Sequence, residues 1–250
     1  MKNKILNKIV NLFGYKLIEK NYVRNDKILS NRTVLNINTV LKNIFNKKDI
    51  KTIIQIGAND GLSFDELNYF IKKYQSKSIL VEPIFEIFTK LKQNYKNYQN
   101  VFFENSAISV DENIKYLFKV NKKFLNKYGS HIPAISSFDK NHLVKHGVSK
   151  SHIVEEKVKT LSISSLIEKY QIKNLDLFFV DAEGYDGKIV YDFLSKSNFR
   201  PIIILEYIHI DNIFFQKLLN LFKDKNFSYF KVSECLIAFP EEEKIEIFLN

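Results

Sequence analysis

Three carboxylates cluster in the short segment DAEGYD, which directly follows the apolar run 175–180. Close like charges raise one another's pKa and destabilise a fold unless a cation, a proton or a partner compensates. Clustering of this kind at the end of a buried strand therefore indicates a functional site. We expect Asp181 and Glu183 to serve as general bases or metal ligands, and Asp186 to cap the helix that follows.

A glutamate and a histidine lie at the end of the next apolar run, residues 201–207. Imidazole has a pKa suited to accepting a proton at neutral pH, so His209 is a third candidate catalytic base. A lone histidine in a loop is nevertheless often a bystander. Asp181, Glu183 and Glu206 together are candidate ligands of a divalent metal ion.

A glycine turn and an acid earlier in the chain have the spacing of a nucleoside-binding pair. Gly57 opens the turn GANDG after a short β-branched strand, and leaves room for a ligand to approach the backbone. Asn59 and Asp60 add polar groups. Glu82 follows the next strand, where an acid can accept hydrogen bonds from both hydroxyls of a ribose. The competing interpretation is a solvent-facing glutamate before the helix-starting Pro83.

The elements that position these residues alternate between strand and helix. Such alternation predicts a mostly parallel sheet whose ligands bind at the carboxyl ends of the strands. The predicted strands are 52–56, 78–81, 101–103, 175–180 and 201–207, with helices over 63–74 and 85–95 and β-hairpin material at 228–232, 236–239 and 245–248.

Residues 121–156 fit this alternation poorly and contain four of the five histidines. An insertion at this place would lie near the carboxyl ends of the strands, so we expect a substrate-side cap. His142 and His146 have the four-residue spacing of two ligands on one helical face. Because no third ligand is near them in sequence, a solvated helix face is the favoured interpretation.

The first 50 residues are predicted to form a helical extension to a domain spanning 51–250. Residues 2–18 have the pattern of a basic amphipathic helix, which could contact a membrane surface, its own domain or a second subunit in a homodimer. A second helical pattern covers 33–45.

Composition narrows the class of protein. The chain has 250 residues and a net charge of +10, with lysine far more abundant than arginine. This charge suits an anionic partner, but a biased genome composition is the favoured explanation, and no nucleic-acid-binding module is recognisable. A single cysteine, Cys235, excludes an intrachain disulfide, and no apolar run reaches the length of a membrane span. We expect a cytoplasmic protein.

Taken in order, these segments resemble the FkbM family of methyltransferases. The likeness covers about residues 51–239 and rests on IIQIGANDG, VEP, ENSAIS, VKTLSISSLI, DLFFVDAEGYD and IIILEY. The DAEGYD segment matches the family pattern D-x-E-G-x-[ED]. The resemblance implies a Rossmann-like class I methyltransferase fold of the α/β class. Its sheet would have seven mostly parallel strands and a C-terminal β-hairpin.

The resemblance also implies S-adenosylmethionine as the methyl donor. The glycine turn would lie against its methionine part, Glu82 would hold the ribose, and the segment after the third strand would border the adenine. The cofactor-binding residues so implied are Gly57, Ala58, Asn59, Asp60, Glu82, Pro83, Ser106, Ala107, Asp181 and Ala182.

The implied acceptor is a hydroxyl of a sugar, either nucleotide-linked or within a surface glycan or capsular polysaccharide precursor. The hydroxyl must lose its proton as the new bond forms, which requires a base such as Asp181, Glu183 or His209. A divalent metal could instead lower the pKa of the hydroxyl. Methylation of another small molecule, methylation of RNA and a non-catalytic nucleoside-binding scaffold are the alternatives, although we expect no nucleic-acid partner.

Overall fold

The computed structural model describes residues 36–248, except for residues 112, 114, 130 and 131. The amphipathic stretch 2–18, with its predicted membrane or subunit contacts, lies outside these residues, as does the start of the helix predicted over 33–45. The compact unit that carries the site begins at Ile37. Within the described residues, no helix has both the length and the apolar character that crossing a bilayer requires.

Strands and helices alternate along the described chain, as the apolar periodicity predicts. The strands are β1 (Thr52–Ile56), β2 (Lys77–Val81), β3 (Val101–Glu104), β4 (Ala107–Ile108), β5 (Lys115–Val120), β6 (Ser136–Ser137), β7 (Ile153–Val158), β8 (Thr160–Leu161), β9 (Leu177–Val180), β10 (Ile202–Glu206), β11 (Phe227–Val232) and β12 (Cys235–Pro240). The helices are α1 (Ile37–Lys47), α2 (Asn68–Tyr74), α3 (Phe85–Asn94), α4 (Lys140–Lys145), α5 (Ile163–Lys169), α6 (Asp186–Lys196) and α7 (Asn212–Asp224).

The central sheet has seven strands in the order β3-β2-β1-β9-β10-β12-β11. The first five are parallel, and β12 runs antiparallel to both β10 and β11. The predicted mostly parallel sheet and C-terminal hairpin are thereby confirmed. The strand order reverses between β1 and β9, where α/β folds bind their ligands.

The parallel strands are continuous apolar runs because elements cover both faces of the sheet. All four residues of β9 are buried, and the Phe178 ring lies 4.7 Å from that of Phe193 on α6. Gln55 of β1 is a polar exception, and its side-chain amide donates to the Asp65 carboxylate over 3.0 Å. Both β1 and β9 are therefore buried up to their carboxyl ends.

The chain end departs from the prediction. The prediction of a third hairpin strand over 245–248 is wrong, because Ile245–Ile247 form a 3-10 helix. Phe248 turns inward and packs its ring 4.6 Å from Phe239 and 5.2 Å from Phe230. Burial of this aromatic side chain replaces strand pairing.

Helix α2 begins at Asn68, later than the helix predicted over 63–74. The Asp60 carboxylate accepts hydrogen bonds from the backbone of Leu62 and Ser63 over 2.9 and 2.7 Å. Asp65 does the same for Leu67 over 2.9 Å. These side chains satisfy backbone donors in turns and so compete with the first helical turn.

Helix α1 packs on the sheet domain, whereas the sequence predicts it in an extension that ends at residue 50. The Phe45 ring stacks on Phe70 of α2 at 4.9 Å. The Asn43 side chain donates to the carbonyl of Phe248 over 3.0 Å. The helix therefore belongs to the same compact unit as the sheet.

The predicted insertion has a small fold of its own. Strand β5 pairs antiparallel with both β6 and β7, which gives a three-stranded sheet. An apolar cluster separate from the main core supports it, formed by Val120, Ile132, Ile135, Leu143, Val148 and Ile153. We call residues 121–156 the cap.

Candidate active site

A cavity of about 400 Å³ opens at the carboxyl ends of the parallel strands, beside the reversal in strand order. Cap residues, among them Ile135, Phe138 and His146, complete its lining. The predicted cofactor-binding residues that line it are Gly57, Asn59, Glu82, Pro83, Ser106, Ala107, Asp181 and Ala182. The sequence therefore identified most of one wall of this cavity.

Two predicted cofactor-binding residues do not line the cavity. Ala58 is fully buried. Asp60 directs its carboxylate to its own loop, where the Ser63 hydroxyl donates to it over 2.9 Å. Both residues shape the glycine turn without facing the cavity.

Gly57 is required by the packing of two backbones. Its φ is +75°, and a Cβ at this position would lie 1.8 Å from the carbonyl oxygen of Asp181. The amides of Gly57 and Ala58 both donate to the Val81 carbonyl over 3.0 Å. The turns after β1, β2 and β9 are thus locked together, which is a stronger reason for glycine than the ligand approach predicted from the sequence.

Glu82 is a buried carboxyl at the end of β2, with 5% of its surface exposed. The solvent-facing interpretation is therefore wrong. Its carboxylate accepts a hydrogen bond from the Ile84 amide over 2.8 Å. Burial raises the pKa of Glu82 to about 7, and the bond from the Ile84 backbone opposes this rise. A ligand that donates a hydrogen bond to this carboxyl would stabilise its ionised form.

Ser106 follows β3 and is also buried against the cavity. Among the described residues its hydroxyl has no hydrogen-bond partner. A hydroxyl in this position can exchange a hydrogen bond with a ligand in the cavity. The neighbouring Asn105, which the sequence did not single out, donates to the carbonyls of Glu82 and Pro83 over 2.9 and 3.0 Å. It joins the loops after β2 and β3.

The DAEGYD turn is held together by Asp186. This residue is fully buried at the first position of α6, and its carboxylate accepts from the amides of Ala182 and Gly184 over 2.9 and 3.0 Å. The predicted helix cap is therefore wrong, because the carboxylate bonds backwards to the turn. Burial raises the pKa of Asp186 to about 7, against these backbone hydrogen bonds.

Asp181 and Glu183 both face the cavity from this turn. Burial raises the pKa of Asp181 well above its usual range, and the charges of Asp186 and Glu183 add to the rise. Glu183 has a φ of +49° and Gly184 a φ of +92°. The turn thus adopts left-handed backbone at two successive positions.

The cap brings two histidines to this turn. His142 lies on α4, is buried, and places its Nε2 atom 2.8 Å from Oε2 of Glu183. His146 follows α4 and has its ring 4.7 Å from that of His142. A solvated helix face is therefore wrong for His142, because the cap folds back onto the carboxylate turn.

His209 completes the group from the loop after β10. Its ring lies 4.5 Å from that of His142 and 5.1 Å from that of His146. Burial lowers the pKa of His209, and the two neighbouring imidazoles lower it further. Its Nε2 lies 3.7 Å from Oε2 of Glu206. Burial raises the pKa of Glu206 to about 8, and the nearby charges of Asp186 and Glu183 contribute to this rise.

The cavity lining is strongly acidic. Its ionisable members besides the histidines are Glu82, Asp181, Glu183, Glu206 and Glu234. Among the residues that the structure describes, neither lysine nor arginine lines it. The cavity therefore favours cations and hydrogen-bond donors over anions.

The strand order, with its antiparallel pair at one end and its switch point beside the cavity, is that of a Rossmann-like class I methyltransferase. The chain belongs to the FkbM methyltransferase family, since the family model described as the methyltransferase FkbM domain matches residues 55–229. The resemblance found in the sequence is thereby confirmed.

Three solved structures resemble this chain at low sequence identity. The FkbM methyltransferase from Methylobacillus flagellatus shares 11% identity at a TM-score of 0.44, covering 76% of this chain and 44% of its own. A TehB-like SAM-dependent methyltransferase from Corynebacterium glutamicum shares 11% at 0.41, covering 88% and 96%. The Methanococcus jannaschii fibrillarin pre-rRNA processing protein shares 9% at 0.40, covering 76% and 66%. This chain thus spans less than half of that FkbM protein and about two thirds of that fibrillarin. No curated protein gives a significant sequence match.

Proposed function

We propose that this chain is an S-adenosylmethionine-dependent O-methyltransferase acting on a sugar hydroxyl. Family membership supports methyl transfer. The observation that carries the finer proposal is one cavity with two chemically different parts. Glu82 and Ser106 are buried at strand ends, while Glu183 and His209 lie at the junction with the cap.

The residues present fit S-adenosylmethionine. The unpartnered hydroxyl of Ser106 and the buried carboxyl of Glu82 are groups that an adenosine would satisfy. Glu82 would accept from the ribose hydroxyls, Ser106 and Ala107 would border the adenine, and Gly57 with Asn59 would lie beside the methionine part. When bound, the cofactor supplies an electrophilic methyl group on a sulfonium.

The chain's own contribution is positioning and removal of a proton. An in-line displacement depends on the orientation of the acceptor oxygen, which the cap and the DAEGYD turn would hold. Asp181 accepts the hydroxyl proton in this proposal. Glu183 and His209, the other two candidate bases, are less available, since Glu183 contacts His142 and His209 lies against two further imidazoles.

The acidic lining supports a neutral, hydroxyl-rich acceptor. Carboxyl groups exchange hydrogen bonds with sugar hydroxyls in either protonation state, whereas a phosphate inside this cavity would meet five carboxyl groups and, among the described residues, neither lysine nor arginine. The phosphates of a nucleotide-linked sugar would have to remain outside, and RNA is disfavoured for the same reason. A glycan precursor suits the cavity equally. The cytoplasmic location and the homodimer stay predictions from the sequence.

Calorimetric titration with S-adenosylhomocysteine tests the cofactor site. Wild type is expected to bind, and Glu82→Ala to lose at least about tenfold in affinity with its ribose contacts. Glu168→Ala, on the exposed face of α5, is the matched control and should bind as wild type does. Undetectable binding to folded wild type would refute the proposed function.

Transfer of a labelled methyl group tests the acceptor class. Nucleotide sugars, free glycans and RNA are offered in parallel to the full chain. Product with a sugar acceptor, lost in Asp181→Asn while S-adenosylhomocysteine binding is retained, is the expected result. Methylation of RNA alone would overturn the sugar proposal.

A further inference from the structure

Four side chains meet where the cap contacts the strand-end turns. His142, His146, Glu183 and His209 each offer one ligand atom, and these atoms all lie within 4.8 Å of one another. We propose that they bind a divalent transition-metal ion of the zinc type. The proposal goes beyond the proposed function, because binding of the ion does not require methyl transfer.

The distances are those of a site that small side-chain rotations close. Ligand atoms around a tetrahedral zinc ion with bonds of about 2.0–2.1 Å lie roughly 3.3 Å apart. The Nε2 atom of His142 is already 2.8 Å from Oε2 of Glu183. The three imidazole rings lie 4.5, 4.7 and 5.1 Å apart in pairs.

The ligands sit in a pocket formed by three separate segments. His142 lies within the cap helix α4 and His146 directly after it, Glu183 lies in the turn after β9, and His209 lies in the loop after β10. Gly184 lies between them, since a Cβ on it would be 3.6 Å from Nδ1 of His142 and 3.6 Å from Cβ of His209. Gly184 therefore lies close to both histidines, and its φ of +92° is the feature of the turn that favours glycine.

The surroundings favour a cation. The His142 side chain is 7% exposed, and those of Glu183 and His209 are each 22% exposed. The carboxylate of Glu206 lies 3.7 Å from the His209 ring, and a carboxylate beside a metal-bound imidazole commonly fixes its orientation. A bound ion would also offset the mutual repulsion of the carboxylates that line this side of the cavity.

The donor set selects the class of ion. Three imidazoles and one carboxylate suit zinc and its first-row neighbours, whereas magnesium and calcium prefer oxygen ligands. The sequence predicted Asp181, Glu183 and Glu206 as candidate ligands, an all-oxygen set that shares only Glu183 with this one. Because its ligands come from the cap and the sheet domain, the ion would fasten the cap over the acceptor side of the cavity.

Another histidine of the cap provides a matched control. The His152 ring stacks on Phe124 at 3.8 Å, and the Tyr128 hydroxyl lies 2.6 Å from its Nδ1. It belongs to the same small fold but not to the cluster. Its removal tests whether any histidine of the cap affects metal binding.

The full chain is freed of metal with a chelator and titrated with zinc sulfate by calorimetry. One zinc ion per chain is expected, with at least tenfold weaker binding in His146→Ala and in His209→Ala and unchanged binding in His152→Ala. Cobalt(II) should give the intense visible absorption of tetrahedral coordination, and this absorption should be lost in the same two variants. His142 is buried, so the test relies on its two more accessible partners.

Wild-type zinc affinity in both His146→Ala and His209→Ala would overturn the site, as would binding of less than one ion per folded wild-type chain. Tight binding of magnesium in place of zinc would overturn the donor assignment. S-adenosylhomocysteine is titrated into the same samples to separate the two proposals. Cofactor binding without any zinc binding removes the metal site alone, and zinc binding without cofactor binding removes only the proposed function.

Discussion

Glu82 is a buried residue whose charge state bears directly on the proposed cofactor site. Its pKa of about 7 reflects burial, so the carboxylate that would accept from a ribose in the proposed function is only partly formed near neutral pH. The consequences differ for the bound and the free protein. A ligand that donates to the carboxylate favours its ionised form, whereas the empty cavity favours the protonated form.

The first prediction concerns ligand binding. Because the ionised carboxylate accepts hydrogen bonds and the protonated one does so poorly, S-adenosylhomocysteine affinity should fall about tenfold from pH 8 to pH 6. Calorimetry at several pH values measures this fall. Glu82→Gln should bind weakly with little pH dependence, and a wild-type affinity that does not vary with pH would contradict the assigned role.

The second prediction concerns the stability of the ligand-free protein. The folded pKa of Glu82 is raised from 4.5 to about 7, so its contribution is fully present below pH 4.5 and is lost as pH rises through 7. Glu82→Gln should therefore be more stable than wild type at pH 8, by up to about 3 kcal/mol, with the difference vanishing near pH 4.5. Urea unfolding at the two pH values gives the comparison. A variant less stable than wild type at pH 8 would show that the carboxylate has an unrecognised stabilising partner.

At the scale of elements, the turns after β1 and β9 are joined through Gly57. A side chain there would have to displace the backbone of Asp181, whose carbonyl oxygen lies 1.8 Å from the position of the missing Cβ. The glycine turn after β1 and the DAEGYD turn after β9 therefore pack directly against each other through their backbones.

Gly57→Ala should destabilise the protein by at least about 3 kcal/mol, because strain at positive φ is added to a backbone clash. Gly147→Ala is the matched control. It also has positive φ, at +83°, but nothing lies within 4 Å of its missing Cβ, so only the smaller conformational penalty applies. Urea denaturation midpoints compare the two. Equal losses would mean that the backbone contact at Gly57 is not rigid.

The elements also explain what the sequence could predict. β1, β2, β9 and β10 were found because doubly covered strands are continuous apolar runs. β5 and β7 were missed, because half-exposed strands such as Ile153–Val158, with the sequence IVEEKV, contain a run of charged residues and resemble loops. The two strands pair antiparallel, although more than 30 residues separate them in the sequence. No local sequence pattern therefore predicts their pairing.

The cavity residues likewise include some that the sequence could place and some that only the folded chain brings together. Glu82 and Asp181 stand directly after strands and could be placed from strand order alone. The contact between His142 and Glu183, which are 41 residues apart, depends on how the cap folds back, and the sequence contains no periodic signal for that. Asn105 likewise acts through backbone carbonyls of another loop, which only the folded chain brings near.

Over the whole molecule, charge is distributed unevenly. The chain carries a net charge of +10, yet the lining of its cavity is acidic. The overall positive charge thus gives no information about the ligand in the cavity. A partner chosen by the net charge would be anionic, whereas the cavity itself favours hydroxyl groups and cations.

The two ends of the described chain meet at Phe248. Its ring is fully buried against Phe230 and Phe239, and its carbonyl accepts from Asn43 of α1. Phe248→Ala should lower the free energy of unfolding by about 3–5 kcal/mol through the cavity it leaves. Phe85→Ala, whose side chain is 67% exposed, should change it by about 0.5 kcal/mol or less. Denaturant unfolding distinguishes the two, and a small effect at Phe248 would show that the C-terminal packing is dispensable.

The pairing of β5 with β7 has a further consequence for how such a protein can change over time. Val120 at the end of β5 pairs with Ile153 at the start of β7, so the chain leaves and re-enters the sheet at neighbouring points. The free energy of closing a loop between fixed ends rises only slowly with its length. The intervening segment can therefore be lengthened, shortened or exchanged without shifting the register of the central sheet. If the proposed function holds, exchange of the cap would change the methyl acceptor and leave the proposed cofactor residues in the central sheet unaltered.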